Sequence, residues 1–196
     1  MQRLKLKKPK SWKPSVSTVL ALLIVAGGVT FALLQSQVDL TSNSVQTDSA
    51  GLLISSDDLH YTSSANGFDF VHIIPGSKPS QTQRFTLQNT GSAPLALRLK
   101  TANSPANPNN IDLNKVKIII TSYDTQTSRP GTPQSFTLGS LIDGGDGVPL
   151  SYPTALQQNT KENFDIQVAM DADAVSGSGA MLSNLDLIFA GVAVSG

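Results

Sequence analysis

Residues 83–100 read QRFTLQNTGSAPLALRLK, and their alternation decides the fold class. In QRFTLQN, Phe85 and Leu87 point one way while Arg84, Thr86 and Gln88 point the other. In LALRLK, Leu95, Leu97 and Leu99 share one face, and Arg98 and Lys100 take the opposite one. A repeat of two is the mark of a strand with one buried face. Between the two segments NTGSAP supplies Gly and Pro, which predict a hairpin-type turn. The same reading extends outward. KVKIII sets Val116, Ile118 and Ile120 inward, and NFDIQVAM does so with Phe164, Ile166, Val168 and Met170. LDLIF is apolar on both sides at Leu187, Ile188 and Phe189, as suits a central strand. With AGLLIS, FDFVHII, QSFTLGS and GVPLSY the chain offers about nine short strands. The joints PGSKP, NSPANPNN, DGGDG and SGSG are turn-rich, and a helical turn or two fits only GSLID or PTALQQN. The expected fold is all-β, a jelly-roll-like β-sandwich over residues 49–196, with no second domain and no internal repeat.

The net charge of zero conceals an asymmetry. Six of the 14 basic residues (Arg3, Lys5, Lys7, Lys8, Lys10 and Lys13) precede the first apolar run, and no acidic residue occurs before Asp39. The remainder is mildly acidic, which argues against nucleic acid as a partner. The cationic tail leads into an uncharged run from Val16 to Leu34, 19 residues long. Positive charge ahead of such a run holds that end in the cytoplasm, and the length suits either an export signal or a membrane-spanning anchor. The small-residue cluster GGVTFA places Thr30 at −3 and Ala32 at −1 of a cut before Leu33. The expectation is a signal peptide over residues 1–32, with a basic region at 1–15 and an apolar core at 16–32. Contact with the membrane is then only through the signal segment before cleavage, a signal peptidase is a partner, and the product is secreted. The chain has no cysteine, so an exported domain must be stabilised by burial and backbone pairing rather than disulfides.

Catalytic chemistry finds few candidates. His60 in DDLHYT and His72 in FVHII are the two histidines. His72 alternates with Phe68, Phe70 and Ile74, which assigns it to a strand face rather than to a base. No G-x-S-x-G stretch supports a serine nucleophile, and no H-E-x-x-H stretch supports zinc. Asp57, Asp58 and His60 read as a solvated loop. Asp171 and Asp173 in MDADA, and Asp143 and Asp146 in DGGDG, are oxygen donors on turns of the kind calcium takes, though neither stretch follows a known calcium loop and Asp and Gly favour turns for conformational reasons alone. The only Trp, Trp12, belongs to the targeting segment, leaving Tyr61, Tyr123 and Tyr152 as the tyrosines. No active site or cofactor is expected.

Three stretches in order resemble the TasA/camelysin family of secreted biofilm-matrix proteins, which carry a distinctive signal peptide. They are GGVTFALLQSQVDLTSNSVQTDSAGLLIS, IIPGSKPSQTQRFTLQNTGSAPLALRL and NFDIQVAMDADAVSGSGAMLSNLDLIFAGVAV. The chain departs from the family after Ala32, where Leu33, Leu34, Gln35 and Ser36 replace the usual aromatic and Ser/Asn-Asp. The resemblance implies a jelly-roll subunit that forms extracellular fibres, its mature N-terminal segment completing the sheet of the next subunit in a head-to-tail homopolymer. Here the candidate donor strand lies in residues 33–48, with Val38, Leu40 and Val45 as its apolar positions. Some camelysin-type members are classed as metalloproteases; no recognisable ligand set carries that activity over. Two other readings stand beside the fibre subunit: a signal-anchored monomeric surface domain with an adhesive or ligand-binding role, and a camelysin-like secreted metalloprotease.

Overall fold

The computed structural model describes residues 38–41, 44–47, 51–66, 69–107, 110–123, 129–174 and 180–194. The chain divides into the units Met1–Leu34 and Gln35–Gly196, and the signal-like segment, with Thr30, Ala32 and Leu33, lies outside the described residues. The second unit is an all-β sandwich of short strands. In chain order they are β1 (Val38–Thr41), β2 (Ser44–Thr47), β3 (Leu52–Ser55), β4 (Ser64–Asn66), β5 (Phe70–Ile73), β6 (Gln83–Asn89) and β7 (Leu95–Thr101). There follow β8 (Val116–Tyr123), β9 (Gln134–Thr137), β10 (Val148–Pro149), β11 (Lys161–Met170), β12 (Ala180–Ser183) and β13 (Asp186–Ala193).

One five-stranded sheet is antiparallel throughout, in the order β3-β6-β11-β8-β9. The second, β10-β7-β13-β2-β4, is antiparallel except where β13 meets β2. A three-stranded sheet has the order β12-β1-β5. The alternation read from the sequence is what closes the core. Phe85 and Phe164 come from the first five-stranded sheet and stack with ring centroids 5.6 Å apart. Phe189, from the second, packs on both at 5.1 and 5.8 Å. Three buried rings meeting across the sheets bring a large apolar area to one point, at separations that favour aromatic pairing. Val116, Ile118 and Ile120 are wholly buried, as are Phe164, Ile166 and Val168.

Two local expectations are corrected. NTGSAP is not a hairpin turn, because β6 and β7 belong to different sheets. The buried Asn89 organises the crossing: its Nδ2 donates to the carbonyls of Ala93 and Leu156 at 2.9 and 3.0 Å, and its Oδ1 accepts from the Gly91 N–H at 2.9 Å. A local side-chain bond of this kind replaces the backbone turn that a hairpin would use. The second correction concerns β5. Phe70 and Ile73 are both buried, whereas Ile74 is 43% exposed, so strict alternation from Phe68 to Ile74 fails. Val38 pairs with Ile73 and Leu40 with Phe70, so that one residue of β1, Asp39, stands against two of β5, Val71 and His72. The extra residue is a β-bulge, which shifts the side-chain phase. His72 lies within β5.

Among the described residues one α-helix, α1 (Leu138–Asp143), forms at the LGSLID stretch, capped where the Thr137 hydroxyl accepts from the Ser140 N–H. Its apolar residues Leu138 and Leu141 are buried. PTALQQN forms no helix; Leu156 instead bridges Leu95.

Candidate functional site

Strand β13 is apolar on both sides and needs two neighbours. One is β7, by an ordinary antiparallel ladder. The other is β2, which runs parallel to it. The same arrangement holds in the three-stranded sheet, where β1 runs parallel to β12. The two parallel ladders share one register. Val38 faces Ala180 and Thr41 faces Ser183; Ser44 then faces Asp186 and Thr47 faces Phe189. The first two strands thus pair with the last two, one ladder in each of two sheets and both in the same sequence offset. Asn184, at φ 57, sits at the corner between β12 and β13. Its left-handed backbone is tolerated in Asn more readily than in most side chains.

Each N-terminal strand is interior to its sheet. β1 is flanked by β12 and β5, and β2 by β13 and β4. Val45, one of the three apolar positions singled out in the sequence, is fully buried. It sits opposite Leu187 on one side and Ala65 on the other. Val38 and Leu40 take their places in the ladders of β1. Thr47 ends the segment with a clasp invisible to hydropathy. Its N–H donates to the Ser63 carbonyl at 2.9 Å, and its hydroxyl donates to the Leu52 carbonyl at 2.8 Å. The sequence did carry one signal for a second partner strand, the apolar character of LDLIF on both faces. Nothing in it specified that the partner would be parallel.

The carboxylates considered for calcium are not gathered into one site. Asp171 accepts from Lys117 Nζ at 2.5 Å and Asp173 from Lys115 Nζ at 2.6 Å. The Lys115 ammonium holds the Asp173 carboxyl below its usual range, and the carboxylate in turn raises Lys115. Asp143 ends α1, and Asp146 follows in the turn before β10. Among the described residues no group of three or more His, Asp or Glu is disposed to hold a metal ion.

The loop after β3 is ordered by Asp57. Its Oδ1 accepts from the Ser55 hydroxyl at 2.8 Å and from the Leu59 and His60 N–H groups at 2.9 Å each. Its Oδ2 lies 2.6 Å from His60 Nδ1. The imidazole is the leading cause that holds the Asp57 carboxyl far below the ordinary range, and Asp57 correspondingly raises His60. Serine, carboxylate and imidazole are present, but in the wrong order for nucleophilic catalysis. Activation needs the base to touch the hydroxyl, whereas here the carboxylate stands between them. Asp58, at φ 58, accepts from the Tyr61 hydroxyl, while Lys161 lies 4.4 Å over the Tyr61 ring. The cluster fastens the loop to β11.

No protein-family model matches the chain, and no curated protein matches it.

Proposed function

We propose that this chain is a secreted, non-enzymatic structural protein of the TasA-like type, which builds extracellular or cell-surface fibres by exchange of its N-terminal strand between subunits. The observation that carries the reading is the interior place of β1 and β2 in two sheets, paired in the same parallel register with β12 and β13. This segment precedes every other described element, so it can leave without threading through a loop. Its departure uncovers facing edges, β12 against β5 and β13 against β4. Unpaired edges are templates for a strand from another chain, and the ladder bonds with a buried Val45 give affinity and register. Backbone groups do not distinguish a strand of their own chain from the same strand of a neighbour. A contact made by the segment of one subunit with the body of the next is heterologous and does not close, so it propagates as a filament.

Deletion of residues 33–46 from the exported protein tests the reading. The truncated chain should bind a synthetic peptide of residues 33–47 in one-to-one ratio and form no filaments in negative-stain electron micrographs. Filaments of normal appearance from the truncation overturn it.

The in-chain pairing of β1 and β2 also favours a second reading, a self-complete monomeric domain displayed at the cell surface. Terminal sequencing separates the two. A protein that retains Met1 is anchored, and one that starts near Leu33 is a released subunit.

A further inference from the structure

A cavity of about 700 Å³ opens on the surface between the segment before β9 and the segment after β10. Its floor is stitched in place from both sides. The Gly131 N–H donates to the Ser122 carbonyl at 2.8 Å, and Pro130 bridges Tyr123 at the end of β8. Across the cavity, Gln134 uses both ends of its amide. Its Oε1 accepts from the Ser151 N–H at 2.5 Å, and its Nε2 donates to the Tyr152 carbonyl at 3.3 Å. Two strands of backbone are thereby held at a fixed separation.

Tyr152 lies against the backbone at Gly131. A Cβ built there would come within 3.4 Å of Tyr152 Cδ1 and 3.1 Å of Ser122 Oγ. The tight contact is with Ser122, so the glycine lets this segment lie close against β8, while the Tyr152 ring sits at ordinary contact distance and stays 42% exposed. A half-exposed tyrosine combines apolar ring surface with a polar hydroxyl. Thr132 and Ser151 add hydroxyls to the rim, each able to donate and to accept. Among the described residues lining the cavity, Arg129 is the single charged one. Its planar fork matches a carboxylate in two parallel hydrogen bonds.

We propose that this cavity is a carbohydrate-binding site whose ligand is an acidic oligosaccharide bearing a uronic-acid carboxylate. A pyranose ring offers an apolar C–H face and a polar hydroxyl edge, the same division that Tyr152 and the Thr132/Ser151 rim present. The carboxylate engages Arg129. A nucleotide is a poorer match, since its phosphates call for several cationic or backbone N–H donors and the described lining has one guanidinium. The volume lies in the range of small-ligand sites.

Titration of the full chain with tri-galacturonate and with neutral cellotriose, followed by amide NMR, tests the site. The acidic trisaccharide should shift the signals of Gly131, Thr132 and Ser151 saturably, with about tenfold higher affinity than the neutral one. Tyr152→Ala should weaken both sugars at least about tenfold. Arg129→Gln alters only an exposed side chain. It should abolish the preference for the acidic sugar and leave the neutral one unchanged, which distinguishes lost recognition from lost folding. The proposal is overturned by absence of saturation with either sugar, by equal binding to the Tyr152→Ala variant, or by perturbations confined to other strands. Saturable binding of a proline-rich peptide at these amides, with no response to the sugars, also overturns it.

Discussion

Val45 and Leu187 face each other across a parallel ladder, 0% and 3% exposed. One belongs to the N-terminal segment and the other to the last strand, so almost the whole described domain lies between them in sequence. The pair joins the two regions the fibre reading requires to separate and re-pair.

Val45→Ala should lower the unfolding free energy by about 2 kcal/mol, the usual cost of deleting buried methyl groups plus the cavity they leave. Chemical denaturation measures it. In the peptide of residues 33–47, Val45→Asp should abolish binding to the truncated chain, because an unpaired carboxylate would enter an apolar site. Unchanged peptide affinity would show that Val45 does not seat the segment.

Asn89→Ala should destabilise the domain by about 3 kcal/mol. The substitution strands the Ala93 carbonyl and the Gly91 N–H and leaves the Leu156 carbonyl with the Leu95 N–H alone, and polar groups shut away without partners cost more than the bonds contribute. Asn89→Asp should also be destabilising, since an ionised carboxylate cannot donate to two carbonyls. The denaturation midpoint of each variant checks this.

The alternation at Phe85, Leu87, Leu97 and Leu99 was legible because each strand buries one face, and burial is what hydropathy reports. The crossing at Asn89 was not. A Gly- and Pro-containing joint looks the same whether it returns a strand to its neighbour or carries it into the opposite sheet. The bulge in β5 was hidden for a similar reason, because one inserted residue changes the phase without changing composition. At the candidate site, Val45 was visible as an apolar residue in a segment free of Gly and Pro. The parallel direction, the common register with β12–β13 and the Thr47 clasp were not, since they depend on long-range pairing. Pairs such as Lys117 with Asp171 and Lys115 with Asp173 join residues far apart in the chain, so spacing alone suggested free carboxylates.

His60 should titrate above its ordinary value near 6.5, because Asp57 favours the imidazolium. Proton NMR of the imidazole measures this, and Asp57→Asn should bring the value back down. The raised His60 pKa adds stability that is complete below about 6.5 and is lost as pH rises through the folded value. Asp57, depressed from 3.8, adds stability that is present above that value and lost as pH falls through the folded one. The difference in melting temperature between the natural chain and His60→Ala should therefore be largest between about pH 4 and pH 6.5. It should be small, because the imidazole is exposed and solvent screens the pair. A difference that grew above pH 7 would contradict the assignment.

Gly51 is the first described residue after the N-terminal segment, and its backbone has φ +85. Its carbonyl accepts from both the N–H and the hydroxyl of Thr90, at 2.6 and 3.0 Å. A Cβ there would come within 2.7 Å of the Gly91 N and 2.8 Å of the Gly91 Cα. Both obstacles are backbone, so no side chain can yield. The left-handed conformation adds a further cost for any residue but glycine. Gly51→Ala should accordingly destabilise the domain by at least about 2 kcal/mol, with loss of protection at the amide of Thr90 in hydrogen exchange. The effect bears on strand exchange as well. On the proposed fibre reading, the hydrogen bonds between Gly51 and Thr90 would fix where the body of the domain begins, leaving β3 beside β6 while the segment ahead of it changes partners. If the variant loosens those bonds, the amides of β3 should lose protection together with that of Thr90. Exchange confined to residues 44–47 would instead place the boundary later in the chain.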